Sequence, residues 1–544
     1  MTTQNHNSSV YMDLLREMHA DVAEDLAINL DRECEKCSKV LSTRGLPALI
    51  EWLEQKLLPF LDCRPTKSPE YQELFRKSPY YLSHDDRDLT MDDVRVFAHV
   101  RQIYSLFRKL TSIECLETDE VAFAAWQARM KEHCGPLSTS QEVTANTLSS
   151  IISDLPDLDS RSYPAPDIGP GASFEKRNRR DRPDFYYDSR FSLRGAVRET
   201  PMGSRSVCVP KTFRRKRLIF VEPSSRMLAQ KAIQRWFHEQ AATRYPYKRY
   251  MRLEDQSYQR HLLMNEHAAS IDLSDASDHI DRRIMWLFFK NHPNLRSCLF
   301  FNRSVREEIS GTIVTSFATM GNATTFPTMT FLLYAVVRLA ELEALDKGYR
   351  VKCQSGVFGD DIVVDRVIAG SVIGILTRLG LHVNTSKSYV VGPFKESCGK
   401  DVFNGFDVTP TKVKDLTAVN SEHWSRLIRY ANSLLVAGYW HASDVLVSTI
   451  LSRWPRTTFG PIGSEDCLWS YSLTLIKRDS FQGMTLSQVR KFSNSRMPFG
   501  VWNKYIQAVE PWIPRVKHLS VLSKDSPANL DFWLANERRA CDAT

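Results

Sequence analysis

Two adjacent aspartates, Asp360 and Asp361, are the most chemically informative feature of the chain. They stand in the run Val-Phe-Gly-Asp-Asp-Ile-Val-Val, residues 357–364. A Gly-Asp pair between two short apolar stretches is typical of a tight β-hairpin, which would place both carboxylates at its tip. Adjacent carboxylates repel each other when both are ionised, and a divalent cation removes that cost. Such oxygen ligands suit Mg²⁺, with Mn²⁺ as a substitute. The alternative is a solvated surface turn, because Gly and Asp are common in turns.

A third carboxylate, Asp272, follows the small and apolar residues of 268–271. This pattern predicts a short strand that ends at Asp272. If this strand lies beside the predicted hairpin, the three aspartates could be the ligands of a two-metal site. In such a site the ions lie roughly 3.5–4 Å apart; one activates a 3′-hydroxyl and the other stabilises a leaving pyrophosphate. One aspartate must bridge both ions, and we expect that aspartate to be Asp272.

A glycine-containing loop, Ser316–Asn322, precedes a long apolar run that predicts a helix. Pro327 is tolerated only in the first turn of a helix, so we expect the helix to begin near Thr324 or Thr325. Because glycine lets the backbone approach a ligand closely, Gly321 is a candidate nucleotide-binding residue.

Two polar residues near these segments could recognise the ribose of a nucleotide. Asn322 closes the loop, and Asp278 lies six residues after Asp272 in a serine-rich turn. Together they could hydrogen-bond a ribose 2′-hydroxyl, the group that distinguishes RNA from DNA. For Asn322 the alternative is an ordinary helix-capping residue.

Positive charge is concentrated in one segment. Residues 171–260 hold 22 Lys and Arg against 9 Asp and Glu, whereas the net charge of the whole chain is +8. Such a segment suggests a polyanionic partner, although a solvated charged face fits the charge equally well. Within it, five cations fall between Lys211 and Arg217. They could clamp an incoming triphosphate or contact an RNA backbone, and their spacing does not separate the two.

The composition is that of an ordinary globular protein. The chain has 544 residues, 42 % hydrophobic and 25 % charged. No apolar run approaches the roughly 20 residues of a membrane helix, and the first residues lack the pattern of a signal peptide, so we expect a cytosolic protein without a membrane partner. Cys34 and Cys37 form a lone CxxC, for which reduced thiols are the simpler interpretation.

Together these segments resemble the replicase beta subunits of the leviviruses, which are positive-strand RNA bacteriophages. The resemblance covers roughly residues 160–410 and is carried by SIDLSDASDHI, FATMGNATTF, VFGDDIVV and GPFKESCGKDVFNGFDVTP. It implies an RNA-directed RNA polymerase that replicates a viral genome in the cytoplasm of a bacterial host. Members of the family work with the translation elongation factors Tu and Ts, and some with ribosomal protein S1.

The resemblance also implies an α+β right-hand fold, with an antiparallel palm sheet flanked by helices. On that basis we expect a mostly helical region at 1–160 that contributes to the fingers, and a basic fingers segment at 161–260. The palm would occupy 261–400, with the catalytic domain at about 252–394, and the thumb and C-terminal region would occupy 401–544.

The family's functional residues carry over onto matching positions. Its Mg²⁺ ligands correspond to Asp272, Asp360 and Asp361, and Lys387 matches a lysine proposed to protonate the leaving pyrophosphate. A plain phosphate contact is the alternative for Lys387. The nucleotide-binding fingers motif corresponds to the following residues: Lys211, Arg214 or Arg217, and Glu222. The chain departs from the family pattern at Ala323, Pro327 and Phe358, none of which is a metal ligand.

Two rival functions share parts of this pattern. A reverse transcriptase uses the same palm chemistry, but it commonly has Ala before the two Asp and excludes the 2′-hydroxyl with a bulky residue. A non-catalytic RNA-binding protein would explain the basic segment but not the four motifs in polymerase order.

Overall fold

The computed structural model describes residues 2–62, 91–159, 174, 203–460, 462–463, 467–470, 480–481 and 484–485. Residues 175–202 of the basic segment lie outside this set. The chain divides into two compact units, Met1–Leu49 with Val413–Thr544, and Ile50–Lys412. In the described residues no helix combines the length and apolarity that crossing a membrane requires.

The described elements are a mixture of helices and short strands, which confirms the predicted α+β class. The helices are α1 (Thr2–Leu26), α2 (Asp31–Asp62, with non-helical backbone at Gly45), α3 (Met91–Ser105), α4 (Asp119–Glu132), α5 (Thr139–Ile151), α6 (Ser224–Thr243), α7 (Tyr247–Tyr250), α8 (Gln256–Leu262), α9 (Ala276–His279), α10 (Arg282–Phe288), α11 (Pro293–Phe301), α12 (Thr325–Asp346), α13 (Arg366–Leu379), α14 (Ser421–Val436) and α15 (Trp440–Arg453).

The strands are β1 (Gly203–Pro210), β2 (Lys216–Val221), β3 (Ala268–Ile271), β4 (Arg306–Glu307), β5 (Gly356–Phe358), β6 (Asp361–Asp365), β7 (Phe394–Ser397), β8 (Lys400–Phe403), β9 (Phe406–Asp407), β10 (Phe459–Gly460), β11 (Leu468–Trp469), β12 (Ser480–Phe481) and β13 (Met484–Thr485). In the described part of the chain they form three-stranded sheets in the orders β2-β1-β4, β3-β6-β5 and β7-β8-β9, and two pairs, β10-β11 and β12-β13.

The sheet β3-β6-β5 lies at the centre of the larger unit. Its strands are antiparallel, with Ile271 opposite Ile362 and Phe358 opposite Asp361. Successive side chains of a strand point to opposite faces. Accordingly, Ile362 packs into the main core, whereas Val363 packs into a smaller cluster with Val402. The sheet is buried on both faces, which explains why its strands are continuous apolar runs rather than alternating ones.

Helix α12 supports this sheet from one side. Its apolar residues are buried nearly all round, as expected for a helix surrounded by protein. It begins at Thr325 with Thr324 as the N-cap residue, and Pro327 lies in its first turn. The predicted start of this helix is therefore confirmed. Helix α13 packs against the same core with one face, using Ile368, Val372, Ile375, Leu376 and Leu379.

Among the described residues, the smaller unit contains α1, α14 and α15, together with the first part of α2 and strands β10–β13. Helix α1 buries Leu14, Met18 and Val22, which share one face at helical spacing. Its Asp21 accepts hydrogen bonds from the backbone N–H groups of His441 and Ala442 at 2.9 Å, at the start of α15. A carboxylate at this position accepts hydrogen bonds from N–H groups of the helix that would otherwise be unpaired. Its negative charge also interacts favourably with the positive end of the helix dipole.

The β1–β2 hairpin meets the loop before α12 at Gly321. The N–H group of Phe220 donates to the carbonyl of Met320 at 2.8 Å. Gly321 has φ +112°, and a Cβ atom added there would lie 2.2 Å from the carbonyl oxygen of Phe220. Only glycine therefore fits this close approach between loop and strand.

Replacing Gly321 with alanine tests this constraint. We expect Gly321→Ala to lower the free energy of unfolding by about 2–5 kcal/mol, because it combines backbone strain with a steric clash. Gly370→Ala is the matched control: Gly370 lies within α13 with no neighbouring atom within 4 Å of the added Cβ. This control should raise stability by about 0.5–1 kcal/mol. Urea denaturation measures both, and equal stability of the two variants would contradict the packing described.

Candidate active site

The predicted hairpin is present, with Gly359 and Asp360 as its two turn residues. Of these two, only Gly359 has a positive φ, at +62°. Its N–H group donates to Thr330 Oγ1 of α12 at 3.0 Å, and an added Cβ would lie 2.8 Å from the Phe326 ring. The tip of the hairpin is thus fixed against the first turns of α12, and Asp360 and Asp361 are half-buried beside it.

Asp272 follows directly after β3, as predicted. Because Ile271 pairs with Ile362, the next residue along, Asp272, comes opposite Asp361. Opposed residues of antiparallel strands have Cβ atoms about 4.5–5.5 Å apart. Burial raises the pKa of Asp272 to about 6; Lys387 opposes that shift, whereas Asp360 and Asp361 add to it. The three carboxylates influence one another electrostatically because they lie at the same end of one sheet.

A short segment after α13 surrounds Asp272 with polar groups. The N–H of Asp272 donates to Ser388 Oγ at 3.1 Å, and its carbonyl accepts from the N–H of Asn384 at 2.9 Å. The Nδ2 group of Asn384 donates to Asp272 Oδ2 at 3.1 Å, and Lys387 Nζ lies 3.8 Å from the same oxygen. Lys387 is thus at the site, as predicted. Asn384 was not predicted, although it lies only three residues before Lys387 in the sequence.

Asp361 is held from the other side by the turn between β7 and β8. Its Oδ1 accepts from Ser397 Oγ at 3.3 Å and from the N–H of Cys398 at 3.2 Å. The thiol of Cys398 lies 3.6 Å from Oδ2. Burial raises the pKa of Asp361, and repulsion by Asp360 adds to that effect. The sequence signal is the KESCGK stretch of the levivirus-like motif, from which no role for Ser397 or Cys398 is predicted.

These three carboxylates have the chemistry of a site for hard divalent cations. Each is an oxygen ligand, and the pKa values of Asp272 and Asp361 are raised chiefly by burial, to which the charges of the neighbouring aspartates add. A divalent cation would relieve the repulsion between these charges. In the described residues, the one group of three ligands with all atoms within 4.8 Å of one another is instead Glu132, His279 and His382. Asp272, Asp360 and Asp361 do not form such a group in the described residues.

One basic side chain of the β1–β2 hairpin, Lys211, interacts electrostatically with Asp272. Desolvation lowers the pKa of Lys211, and the charges of Lys387 and Arg217 act in the same direction, while Asp275 and Asp272 oppose them. Lys211 therefore lies within electrostatic range of Asp272, and Arg217 within electrostatic range of Lys211.

Arg214 has different partners. It forms ion pairs with Glu54 and, at 3.6 Å, with Glu51, both on α2. Of the two alternatives predicted for the basic run, the geometry favours Arg217.

The two residues predicted to hydrogen-bond a ribose, Asp278 and Asn322, both have hydrogen-bond partners within the protein. Asp278 is buried, and its Oδ2 accepts from Arg129 Nε at 2.9 Å. Burial raises its pKa to about 6 even against the charge of Arg129. Asn322 Oδ1 accepts from both the N–H and the hydroxyl of Thr324 at 2.8 Å, and because Thr324 is itself the N-cap residue of α12, Asn322 is not the capping residue considered as its alternative. Arg129, from α4, was not predicted.

Glu222 and Gly321, two further predicted nucleotide-binding residues, are both packed into protein. Glu222 is only 1 % exposed and accepts a hydrogen bond of 2.5 Å from Ser304 Oγ. Burial raises its pKa, although Arg226 and Arg303 oppose that shift. Gly321 meets the backbone of Phe220, as described above. Their nucleotide contacts stay predictions.

Comparison with known proteins identifies relatives for the segment that carries this site. Residues 193–440 match the family model described as RNA replicase, beta-chain. The predicted resemblance to the levivirus replicases is confirmed. The chain is 32 % identical over 218 residues to the RNA-directed RNA polymerase beta chain of Enterobacteria phage fr, which is 39 % of this chain and 38 % of that one. It is 31 % identical over 219 residues to the corresponding chain of Escherichia phage MS2, with the same coverage.

The matches span well under half of the length of each relative. Among solved structures, a viral RNA polymerase described as part of a complex inside a dsRNA virus aligns over 71 % of this chain and 40 % of its own, with a TM-score of 0.41 and 13 % identity.

Divalent cations should stabilise the protein through the aspartates. We expect saturating Mg²⁺ to raise the free energy of unfolding by about 1–3 kcal/mol, because it binds only the folded site. The gain should be largely lost in Asp361→Asn. Asp346→Asn, at an exposed position on α12, is the control and should retain it. Urea denaturation with Mg²⁺ and with EDTA measures the difference, and an equal response of both variants would reject the assignment of the ligands.

Proposed function

We propose that the chain is an RNA-directed RNA polymerase that copies a phage RNA genome. In the proposed reaction the 3′-hydroxyl of a growing RNA attacks the α-phosphate of a nucleoside triphosphate and displaces pyrophosphate. The observation that carries the proposal is the meeting of Asp272 with the Asp360–Asp361 hairpin, with Lys387 beside Asp272 and Lys211 within range of its charge. Relatives named as RNA-directed RNA polymerases over the same segment support it.

Asp272, Asp360 and Asp361 would hold two Mg²⁺ ions, which Mn²⁺ could replace. When bound, such ions lower the pKa of the attacking hydroxyl and neutralise charge on the leaving pyrophosphate. The chain contributes the rest. Lys211 and Arg217 would hold the triphosphate, and positioned charges of this kind supply much of the catalysis in phosphoryl transfer. Lys387 lies 3.8 Å from an oxygen of Asp272, from which it could contact the pyrophosphate or donate a proton to it.

The fold proposed for this activity is the polymerase right hand. The palm would be residues 261–400, whose β3-β6-β5 sheet carries the aspartates. The fingers would be built from residues 161–260 with 1–160, and the thumb from 401–544. By the same resemblance we propose that translation elongation factors Tu and Ts, and ribosomal protein S1, are partners in the cytoplasm of the bacterial host.

A reverse transcriptase is the nearest rival, and Asp278 is the residue that argues against it. A buried, polar Asp278 held by Arg129 could accept a hydrogen bond from a ribose 2′-hydroxyl, or could orient the residue that does. Reverse transcriptases use a bulky residue to exclude that hydroxyl. Preferential incorporation of deoxyribonucleotides by this chain would favour the rival.

Loss of one aspartate should separate catalysis from RNA binding. We expect Asp360→Asn to lower the rate of RNA-templated primer extension at least about 100-fold, because metal ions stabilise the transition state by several kcal/mol. RNA retention in a filter-binding assay should be nearly unchanged, since the basic residues are intact. Asp346→Asn serves again as the control. Normal extension by Asp360→Asn would reject the metal site, and RNA binding by the wild type without Mg²⁺-dependent extension would favour a non-catalytic RNA-binding protein.

The two arginines of the basic run should behave differently. We expect Arg217→Ala to raise the KM for nucleoside triphosphates about 10–100-fold, which corresponds to one charge-assisted hydrogen bond. Arg214→Ala should change KM less than about threefold, because its side chain pairs with Glu54 and Glu51 instead. Steady-state extension over a range of nucleotide concentrations measures both constants. The opposite order of effects would show that Arg214 is the triphosphate ligand.

A further inference from the structure

A second group of potential metal ligands lies next to the aspartates but shares none of them. It consists of Glu132 at the end of α4, His279 at the end of α9 and His382 just after α13. One ligand atom from each of these residues lies within 4.8 Å of the other two. We propose that this Glu–His–His cluster is a binding site for a transition-metal cation, with Zn²⁺ as the best fit.

The first observation in favour is the spacing of the ligand atoms. His279 Nδ1 and Glu132 Oε2 are 3.3 Å apart. Zinc bound to nitrogen and oxygen at about 2.0–2.1 Å in a tetrahedron requires neighbouring ligand atoms about 3.3–3.4 Å apart. The rings of His279 and His382 have centroids 4.0 Å apart, with 36° between their planes. Glu132 and His382 are exposed side chains, so small rotations can bring them to full contact with an ion.

The second observation is a buried nitrogen with no hydrogen-bond partner. The His279 side chain is 4 % exposed, and its Nδ1 atom makes no hydrogen bond within the described chain. Burying a polar atom without a hydrogen-bond partner destabilises the folded state. A metal ion bound to Nδ1 would remove that destabilisation. Burial also lowers the pKa of His279 to about 4, so the imidazole is uncharged at neutral pH, which is the form that binds metals.

The ligand types select the metal. Two imidazoles and one carboxylate suit zinc and other late first-row cations rather than Mg²⁺, which prefers oxygen alone. Three protein ligands leave a fourth position of the tetrahedron for water. The site would therefore be chemically distinct from the all-carboxylate site of Asp272, Asp360 and Asp361.

The position of the cluster indicates that a bound ion would stabilise the packing of two segments of the fold. Glu132 lies three residues after Arg129 on one face of α4, and Arg129 donates to Asp278, the neighbour of His279. The carbonyl of His382 accepts from the N–H of Ser274 at 2.9 Å, and Leu273 pairs with Val383. An ion held here would tie α4 to the turn that follows Asp272. This inference does not depend on the proposed polymerase activity.

Zinc binding by the untagged full-length protein tests the proposal. We expect one Zn²⁺ per chain after dialysis against micromolar ZnCl₂, measured by elemental mass spectrometry, and visible absorption bands of a low-symmetry site with Co²⁺. Glu132→Gln and His382→Gln replace exposed side chains, and each should weaken zinc binding at least about 10–100-fold. Zinc should raise the Tm of the wild type but not of these variants.

Two control variants make the result specific. His267→Gln removes a half-exposed histidine outside the cluster, and Asp360→Asn alters the aspartate site. Both should bind zinc as the wild type does. The proposal is overturned if the wild type holds no zinc, if Glu132→Gln and His382→Gln bind it unchanged, or if Asp360→Asn alone abolishes binding.

Discussion

Repulsion among carboxylates that the fold forces together is the constraint on which the rest of this structure depends. Three aspartates meet at one end of the β3-β6-β5 sheet, where desolvation and their mutual charges disfavour ionisation. A protein evolving for stability alone would replace at least one of them. The surrounding structure instead supplies partial compensation, through Asn384 and Lys387 at Asp272 and through the β7–β8 turn at Asp361. Such a balance is typical of sites where charge serves chemistry.

The rest of the larger unit keeps these groups in position. Helix α12 fixes the turn of the hairpin through Thr330 and Phe326, and the core beneath the sheet fixes the register of β3 against β6. A slip of one residue would turn Asp361 to the opposite face and exchange the side chains that pack into the two clusters on either side of the sheet, so the register is specified. The β1–β2 hairpin packs against the loop before α12 at Gly321, and its Lys211 interacts electrostatically with Asp272.

Much of the site could be predicted from the sequence because its signals are local. The Gly-Asp turn, the strand ending at Asp272 and the helix start set by Pro327 each depend on a few neighbouring residues. The contacts of Asn384, Arg129 and Cys398 could not be predicted, because they depend on segments between 37 and 149 residues away in the chain. For the same reason, the sequence of the basic run does not distinguish Arg214 from Arg217 as a triphosphate ligand. Only the fold shows that acidic residues of α2 form ion pairs with Arg214.

The most direct test of the account is to locate bound Mn²⁺ in a crystal of this protein by anomalous scattering at the manganese edge. We expect manganese in contact with Asp272 and with the Asp360–Asp361 pair, with Lys387 displaced from Asp272. Manganese bound only elsewhere, with the three aspartates retaining their protein partners, would contradict it.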